Sequence, residues 1–375
     1  MIIAVNTRLL IAGKLEGIGW FSYESLKRIT QKHPEHKFIF IFDRKYSEEF
    51  IFSDNITPVI IFPQARHPVL WYLFFEWGVP PALRKYKADM FLSPDGWLSM
   101  RSGVKSLPVI HDLNFFHYPQ FNPRIAEKYY QYYFPRYIRK ASRIATVSEF
   151  SKQDIVSLFN ADPAKIDVVY NGANELLHPV DEATRTSVKQ TYTAGCPYFL
   201  FIGLIQPRKN IGNLIKAFDE FKKTVTSNVK LLLVGSQKYL NDEIQEAFDN
   251  SEFRDEIIFT GRLNTEELNK VVASALSLVY VSHFEGFGIP ILEAMYCNVP
   301  VITSKVSSMP EVAGDAALYV EPSSVDTIKD AMLKMFCDTN VRKDLIEKGK
   351  VRRLNFTWDK TADLLWESVE KCLEM

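Results

Sequence analysis

The run Glu285-Gly286-Phe287-Gly288-Ile289-Pro290-Ile291-Leu292-Glu293 sets two carboxylates eight positions apart, one on either side of a glycine-bearing turn. Gly286 and Gly288 permit backbone conformations closed to other residues and leave room for a bound group. Pro290 suits the start of a helix, where its missing N–H would be unpaired in any case. The segment that follows, through Ala294, Met295 and Tyr296, then opens with unpaired amides and the positive end of a helix dipole, which together favour a phosphate. A carboxylate in that first turn can accept hydrogen bonds from a vicinal diol such as a ribose. The same letters also describe an ordinary helix start, so the stretch needs partners elsewhere before it means a site.

Outward from this run, apolar strand-like segments alternate with amphipathic helix-like ones, the pattern of a parallel α/β sheet. The spacing predicts strands at Tyr198–Ile202, Val229–Val234, Ile257–Thr260, Leu276–Val281 and Val299–Ile302 in the second half. Between them it predicts helices at Ile211–Thr224, Glu243–Asn250, Glu266–Ala275 and Pro290–Cys297. The first half carries the same alternation: strands at Ile2–Val5, Phe38–Phe42, Thr57–Phe62, Met90–Leu92, Leu107–Ile110, Arg143–Val147 and Ile166–Val169, with helices at Trp20–Gln31, Val69–Tyr86, Arg124–Ala141 and Ser151–Phe159. The polar stretch Glu175–Cys196 breaks the regularity and reads as an inter-domain linker. Ala362, Leu365, Trp366, Val369 and Leu373 recur at helical spacing, so Trp358–Glu374 reads as an amphipathic terminal helix. The expectation is an α/β protein of two doubly wound domains, with ligands beyond the carboxyl ends of the strands and the cleft between the domains as the default site.

At 375 residues, two domains are the default. Lys+Arg and Asp+Glu both number 45, which argues against a global nucleic-acid footprint. The four cysteines are scattered, with no C-x-x-C pair and no histidine at metal-ligand spacing, so no metal site is expected and a reduced cytoplasmic compartment fits. The segment Met1–Leu10 is interrupted by Arg8 and lacks a small-residue cleavage site, so it reads as a first strand. No apolar run is long enough to span a membrane.

Other stretches supply partners for the Glu285 run. Gly203 ends a strand, and Arg208 and Lys209 stand just before a helix. A compact ammonium beside a bidentate guanidinium suits a diphosphate, although a solvated basic turn has the same sequence. Glu16-Gly17-Ile18-Gly19 lies between the first strand and helix; its glycines allow close approach to a phosphate or sugar, or serve packing alone. His111-Asp112 ends the Leu107–Ile110 strand, where His111 could meet a sugar hydroxyl or be a structural histidine held by Asp112. Ser148 and Ser151 read first as a helix cap, and Asn171-Gly172 as a turn. Dinucleotide, P-loop and Gly-x-Ser-x-Gly motifs are absent.

Taken in order along the chain, Gly17-Ile18-Gly19, His111-Asp112, Val147-Ser148-Glu149, Asn171-Gly172, Lys209-Asn210, Thr260-Gly261 and the Glu285/Glu293 pair resemble the retaining glycosyltransferases of family 4. The resemblance implies the GT-B fold: two Rossmann-like domains facing a central cleft, with the terminal helix crossing back to the N-terminal domain. The domains would be 1–180 plus 358–375, binding the acceptor, and 181–357, binding the donor. Lys209, with Arg208, would hold the donor diphosphate. Glu293 would bind the ribose hydroxyls and Glu285 those of the transferred sugar. Backbone amides at Gly288, Ile289 and Ile291 would meet the phosphates. Gly17 and Gly19 would admit the leaving diphosphate, and His111 would line the sugar pocket.

The reaction so implied transfers a hexose from a nucleotide-diphospho sugar to a hydroxyl of a glycan or lipid-linked acceptor, without a metal or other cofactor. GDP-mannose is the first expectation for the donor, because Gly286-Phe287-Gly288-Ile289-Pro290 after Glu285 resembles mannosyltransferase-like members of the family, with UDP-glucose or another hexose donor close behind. A catalytically inactive nucleotide-sugar-binding subunit and a two-domain Rossmann oxidoreductase are the other classes, disfavoured by the intact Lys209, Glu285 and Glu293 and by the missing dinucleotide motif. Two positions depart from the family pattern: Leu204 stands where an arginine is frequent, and Glu16 where a glycine is. Arg208 or Arg262 would supply the cation missing at Leu204. The aromatic-then-basic stretch from Trp71 to Lys87 fits either a core helix with a basic end, the favoured reading, or peripheral contact of the N-terminal domain with the inner membrane face.

Overall fold

The computed structural model describes residues 1–121, 123–173, 176–236 and 242–374. The chain forms two compact units, Met1–Gly172 with Thr357–Met375, and Ala173–Phe356.

The first unit runs β1 (Ile2–Asn6), α1 (Gly17–Lys32), β2 (Lys37–Phe42), β3 (Ile56–Ile60), α2 (Pro68–Leu73), α3 (Val79–Lys85), β4 (Met90–Ser93), β5 (Lys105–Ile110), α4 (Asn114–His117), α5 (Arg124–Lys140), β6 (Ile144–Thr146), α6 (Glu149–Phe159) and β7 (Ile166–Val168). The second runs α7 (Glu182–Thr193), β8 (Tyr198–Ile202), α8 (Ile211–Thr224), β9 (Lys230–Val234), α9 (Asp242–Asp249), β10 (Ile257–Gly261), α10 (Thr265–Ala273), β11 (Ser277–Tyr280), α11 (Ile289–Tyr296), β12 (Val301–Ser304), α12 (Met309–Ala313), β13 (Ala317–Val320), α13 (Val325–Cys337) and α14 (Thr339–Arg352). The terminal helix α15 (Trp358–Glu374) returns to the first unit.

The first sheet has seven strands in the order β3-β2-β1-β4-β5-β6-β7, and the second has six in the order β10-β9-β8-β11-β12-β13. Every pairing is parallel. Central strands covered on both faces read as unbroken apolar runs, as β8 does with all five residues buried. Strand order reverses between β1 and β4 and between β8 and β11. Those switch points direct ligands to the loops after β1 and β4 in one unit and after β8 and β11 in the other.

The expected linker corrects to structure. Its first residue, Glu175, lies outside the described residues, but Glu182–Thr193 is a helix capped by Asp181, whose carboxylate accepts from Thr184 N at 2.8 Å. The division between units therefore falls at 172/173, not 180/181: Leu177 is buried and His178 N donates to Asn269 Oδ1 at 2.8 Å, both within the second unit. The expected single helix Val69–Tyr86 is interrupted by a π turn at Phe74–Gly78. Pro80 and Pro81 follow and lack the N–H groups that would continue the α ladder back to residues 76 and 77.

Asn171-Gly172 is more than a turn; it is the seat of α15. A Cβ at Gly172 would lie 2.5 Å from Trp358 N and 2.7 Å from the indole ring. Thr361 Oγ1 donates to Tyr170 O at 2.6 Å. Farther along, α15 ties to α1 through Lys32–Asp363 at 2.7 Å and through Trp366, stacked 3.7 Å from His33.

Candidate functional site

In the second unit the loop after β8 turns back at Arg208 and Lys209, which form a short 3-10 turn opened by Pro207. Asn210 takes the left-handed conformation and starts α8; its Nδ2 donates to Val281 O at 2.9 Å and Pro322 O at 2.6 Å. His283 N donates to Arg208 O at 3.0 Å. These bonds lock the basic turn against the loop that carries Glu285.

Lys209 and Glu285 are both buried, and Lys209 Nζ donates to Glu285 Oε1 at 2.6 Å. The ammonium also donates to the Tyr280 hydroxyl at 2.8 Å and lies 5.0 Å from the centre of that ring. Arg208 Nη1 meets Glu285 Oε2 at 3.0 Å and the Phe284 carbonyl. Burial would raise the Glu285 carboxyl, but Lys209 and then Arg208 outweigh it and bring it down to about 2. Glu285 is therefore an obligate acceptor at neutral pH. The trio keeps one net positive charge.

The loop 285–287 is pinned from behind. Ser308 Oγ donates to both Glu285 O and Phe287 O at 2.9 Å, and Glu285 N donates to Ser307 Oγ at 3.1 Å. Gly288 follows with φ +108°, a conformation that L side chains resist, and caps α11. Pro290 has no N–H, and the Ile291 amide is taken by Gly288 O at 3.0 Å. Of the three expected phosphate amides, Ile291 is thus already committed, leaving Gly288 and Ile289.

Glu293, one turn into α11, is half-buried, and among the described residues no side chain pairs with its carboxylate. Burial pushes it up to about 7. It lies on the same helix whose first turn follows the Glu285 loop.

The first unit carries Gly17 and Gly19 at the end of the loop after β1, and His111 directly after β5, beside the loop that follows β4. Gly17 opens α1 and is exposed, and a Cβ there would meet nothing within 4 Å. Gly19 is buried, and its Cβ would lie 3.1 Å from Leu9 O, so it serves close packing of the loop on the helix. Glu16 is exposed. His111 Nε2 donates to Pro94 O at 2.8 Å, and Phe21 packs edge-on at 4.9 Å. Burial lowers its pKa, partly offset by that carbonyl and Asp112. The neutral ring therefore keeps its proton on Nε2 and offers Nδ1 as an acceptor. Asp112 does not hold His111; its Oδ1 accepts from Asn114 N at 3.0 Å at the start of α4. Ser148 caps α6, accepting from Ser151 N at 3.0 Å.

Comparison with known proteins bears directly on this arrangement. The model for glycosyl transferases group 1 matches residues 185–352, and that for glycosyltransferase family 4 matches 22–175. O-antigen chain mannosyltransferase B of Escherichia coli is 32% identical over 279 residues, covering 74% of this chain and 73% of that protein. The chain belongs to the family 4 glycosyltransferases. O-antigen chain mannosyltransferase RfbU of Salmonella typhimurium is 28% identical, covering 71% of this chain and 70% of its own. Sucrose-phosphate synthase from Thermosynechococcus elongatus shares the fold with a TM-score of 0.78 at 18% identity, covering 99% of this chain and 98% of that one. The lipopolysaccharide glycosyltransferase WaaG does so with 0.73 at 14% identity, covering 97% and 99%. Both sheets and the returning α15 are thus those of a GT-B glycosyltransferase.

Tyr280, Ser307 and Ser308 hold the candidate site together through Lys209, Glu285 and Phe287 but were not among the expected residues. Tyr280 is hidden in a strand run. Ser307-Ser308 before Met309-Pro310-Glu311 carries a legible helix-start signal, since Pro310 stands in the first turn of α12. Leu204 is only partly buried in the loop after β8, and Arg262 is exposed just after β10. A cavity of about 240 Å³ in the same unit is lined by Arg185, Lys189, Ser274, Asn298, Arg342 and Lys343, among others. Its lining residues Pro197, Leu276 and Pro300 precede β8, β11 and β12, so it opens at the opposite end of the sheet from Glu285.

Proposed function

We propose that this glycosyltransferase moves mannose from GDP-mannose, with retained anomeric configuration and without a metal, to a hydroxyl of a growing glycan or lipid-linked saccharide on the cytoplasmic side. The observation that carries the reading is the buried Lys209–Glu285–Arg208 trio beside the Gly288 helix start. Identity with mannosyltransferases supports the choice of sugar.

Lys209 and Arg208 are the groups suited to the donor diphosphate, with the Gly288 and Ile289 amides adding neutral donors. Negative charge grows on the leaving phosphate as the sugar departs, so fixed cations in a dry setting stabilise the transition state more than the ground state. Glu285 accepts from sugar hydroxyls and holds the two cations in place until the donor arrives. Glu293 accepts from the ribose diol. His111 offers neutral Nδ1 to a sugar hydroxyl. The second unit is the proposed donor domain and the first the acceptor domain. UDP-glucose is the runner-up donor.

A thermal-shift panel of GDP, UDP, ADP and TDP tests the base, because a ligand of the folded state alone raises its midpoint by mass action. GDP should give the largest rise. Turnover of GDP-mannose unaffected by EDTA, with the product anomer read by NMR, tests the metal and stereochemical parts. No response to any of the four nucleotides would overturn the reading.

A further inference from the structure

The rod formed by α2, the π turn and α3 buries Phe74, Phe75, Val79, Ala82 and Leu83 on its inner side. To that extent it is a core helix. Its outer side is apolar as well: Val69, Leu73 and Trp77 are 53%, 38% and 54% exposed, at four-residue intervals. A helix on the surface of a soluble domain ordinarily turns a polar face to water. Phe62, 72% exposed, adjoins the rod, with its carbonyl 3.3 Å from where a Gly78 Cβ would stand. Exposed Tyr132 of α5 continues the patch through Tyr133, which lies 4.9 Å from it and 6.4 Å from Tyr72. Six of the fifteen large apolar side chains exposed among the described residues, Phe62, Val69, Tyr72, Leu73, Trp77 and Tyr132, thus belong to this one patch.

The stretch of sequence that carries the patch is also basic. Residues 60–140 hold eleven Lys and Arg against five Asp and Glu, in a chain whose net charge is zero. Two of the five acids are buried: Glu76 accepts from Met100 N at 2.8 Å, and Asp95 pairs with Arg8 at 2.5 Å. The exposed cations border the apolar stripe. Arg84 and Lys85 end the rod, and the Arg101 guanidinium lies 3.8 Å over the Trp77 ring.

We propose that this face docks on an anionic lipid bilayer, with Leu73 and Trp77 seated among the headgroups and Arg84, Lys85 and Arg101 on lipid phosphates. An apolar stripe bordered by cations is what an interfacial helix requires, and Trp and Arg are the side chains suited to that depth. A symmetric pairing of two copies through the same face would set these cations against one another. The proposal is independent of the donor chemistry; it adds the place where a lipid-linked acceptor would be met.

The test is co-sedimentation of the full chain with vesicles of phosphatidylcholine mixed with phosphatidylglycerol, and with pure phosphatidylcholine vesicles. Binding is expected on the mixed vesicles and should fall with salt. The pairs Leu73→Ser/Trp77→Ser and Arg84→Glu/Lys85→Glu should each weaken it about tenfold or more. Their unliganded thermal midpoints and nucleotide responses should stay as in the parent protein. No binding to mixed vesicles, equal binding by the variants, or a change only in oligomeric state on losing the stripe would overturn the proposal. A variant that keeps its nucleotide response and loses vesicle binding separates this outcome from any failure of the donor reading.

Discussion

Lys209 Nζ lies 2.6 Å from Glu285 Oε1, so the cation proposed for the donor diphosphate and the carboxylate proposed for the sugar are bonded to each other. The pair has consequences for binding and for acid stability that can be separated by mutation.

Lys209→Ala should lower kcat/KM for the donor at least about tenfold, a loss equivalent to ~1.4 kcal/mol or more of transition-state stabilisation. It also leaves Glu285 buried with Arg208 as its remaining cation, at a stability cost of about 3 kcal/mol. Urea unfolding beside steady-state kinetics distinguishes the two effects. Unchanged turnover would remove Lys209 from the site.

The sign of the Glu285 effect on acid stability follows from its depressed pKa. Its folded value, about 2, lies below its ordinary 4.5. The stability it contributes is therefore fully present above the ordinary value and is lost as pH falls toward the folded one, up to about 3 kcal/mol in all. Glu285→Gln should be less stable near neutrality but lose less on acidification. Unfolding free energies of both proteins across that window check this.

Glu293 has the opposite sign. Its folded pKa, about 7, exceeds the ordinary 4.5, so the folded state holds a proton the unfolded state has released, and stability declines as pH rises through that window. Glu293→Gln should be the more stable protein above neutrality, by about 1–2 kcal/mol after allowance for the partial exposure of the carboxylate. A ribose diol that donates to this group favours its charged form. Nucleotide affinity should then fall as pH drops below about 7 in the parent and stay flat in Glu293→Gln. Calorimetric titration across pH is the measurement.

Most of the fold was legible because buried parallel strands are continuous apolar runs. The strand Ala317–Val320 was not: it is four residues long, at the sheet edge, with its middle residues partly exposed. Helix α14 buries only Leu345 and Gly349 and shows no apolar face. By contrast α13 carries Ile328, Ala331, Met332 and Met335 at helical spacing, a signal that could have been read. In the site, Glu285, Lys209 and Glu293 were visible as chemistry-bearing residues at turn and helix starts. Their mutual pairing was not, since it depends on β8 and β11 being neighbours.

Gly172→Ala tests the return of the terminal helix. The added Cβ meets Trp358 backbone and ring inside contact distance, and neither can move without lifting α15. A loss of about 2–3 kcal/mol is expected, with faster proteolysis of the terminal segment. Gly103→Ala is the control, since a Cβ there meets nothing within 4 Å.

Leu204 sits in the loop after β8, partly exposed, ahead of the Arg208–Lys209 turn. Its side chain is not among the buried core, so Leu204→Arg should change stability by less than about 1 kcal/mol. If the loop after β8 lines the diphosphate site, a guanidinium there adds a bidentate partner where Glu285 already occupies part of the other two cations. Nucleoside-diphosphate affinity should then rise severalfold, while affinity for the nucleoside alone stays unchanged. A fall in thermal midpoint would assign Leu204 to the core; an unchanged diphosphate affinity would place the phosphates away from this loop.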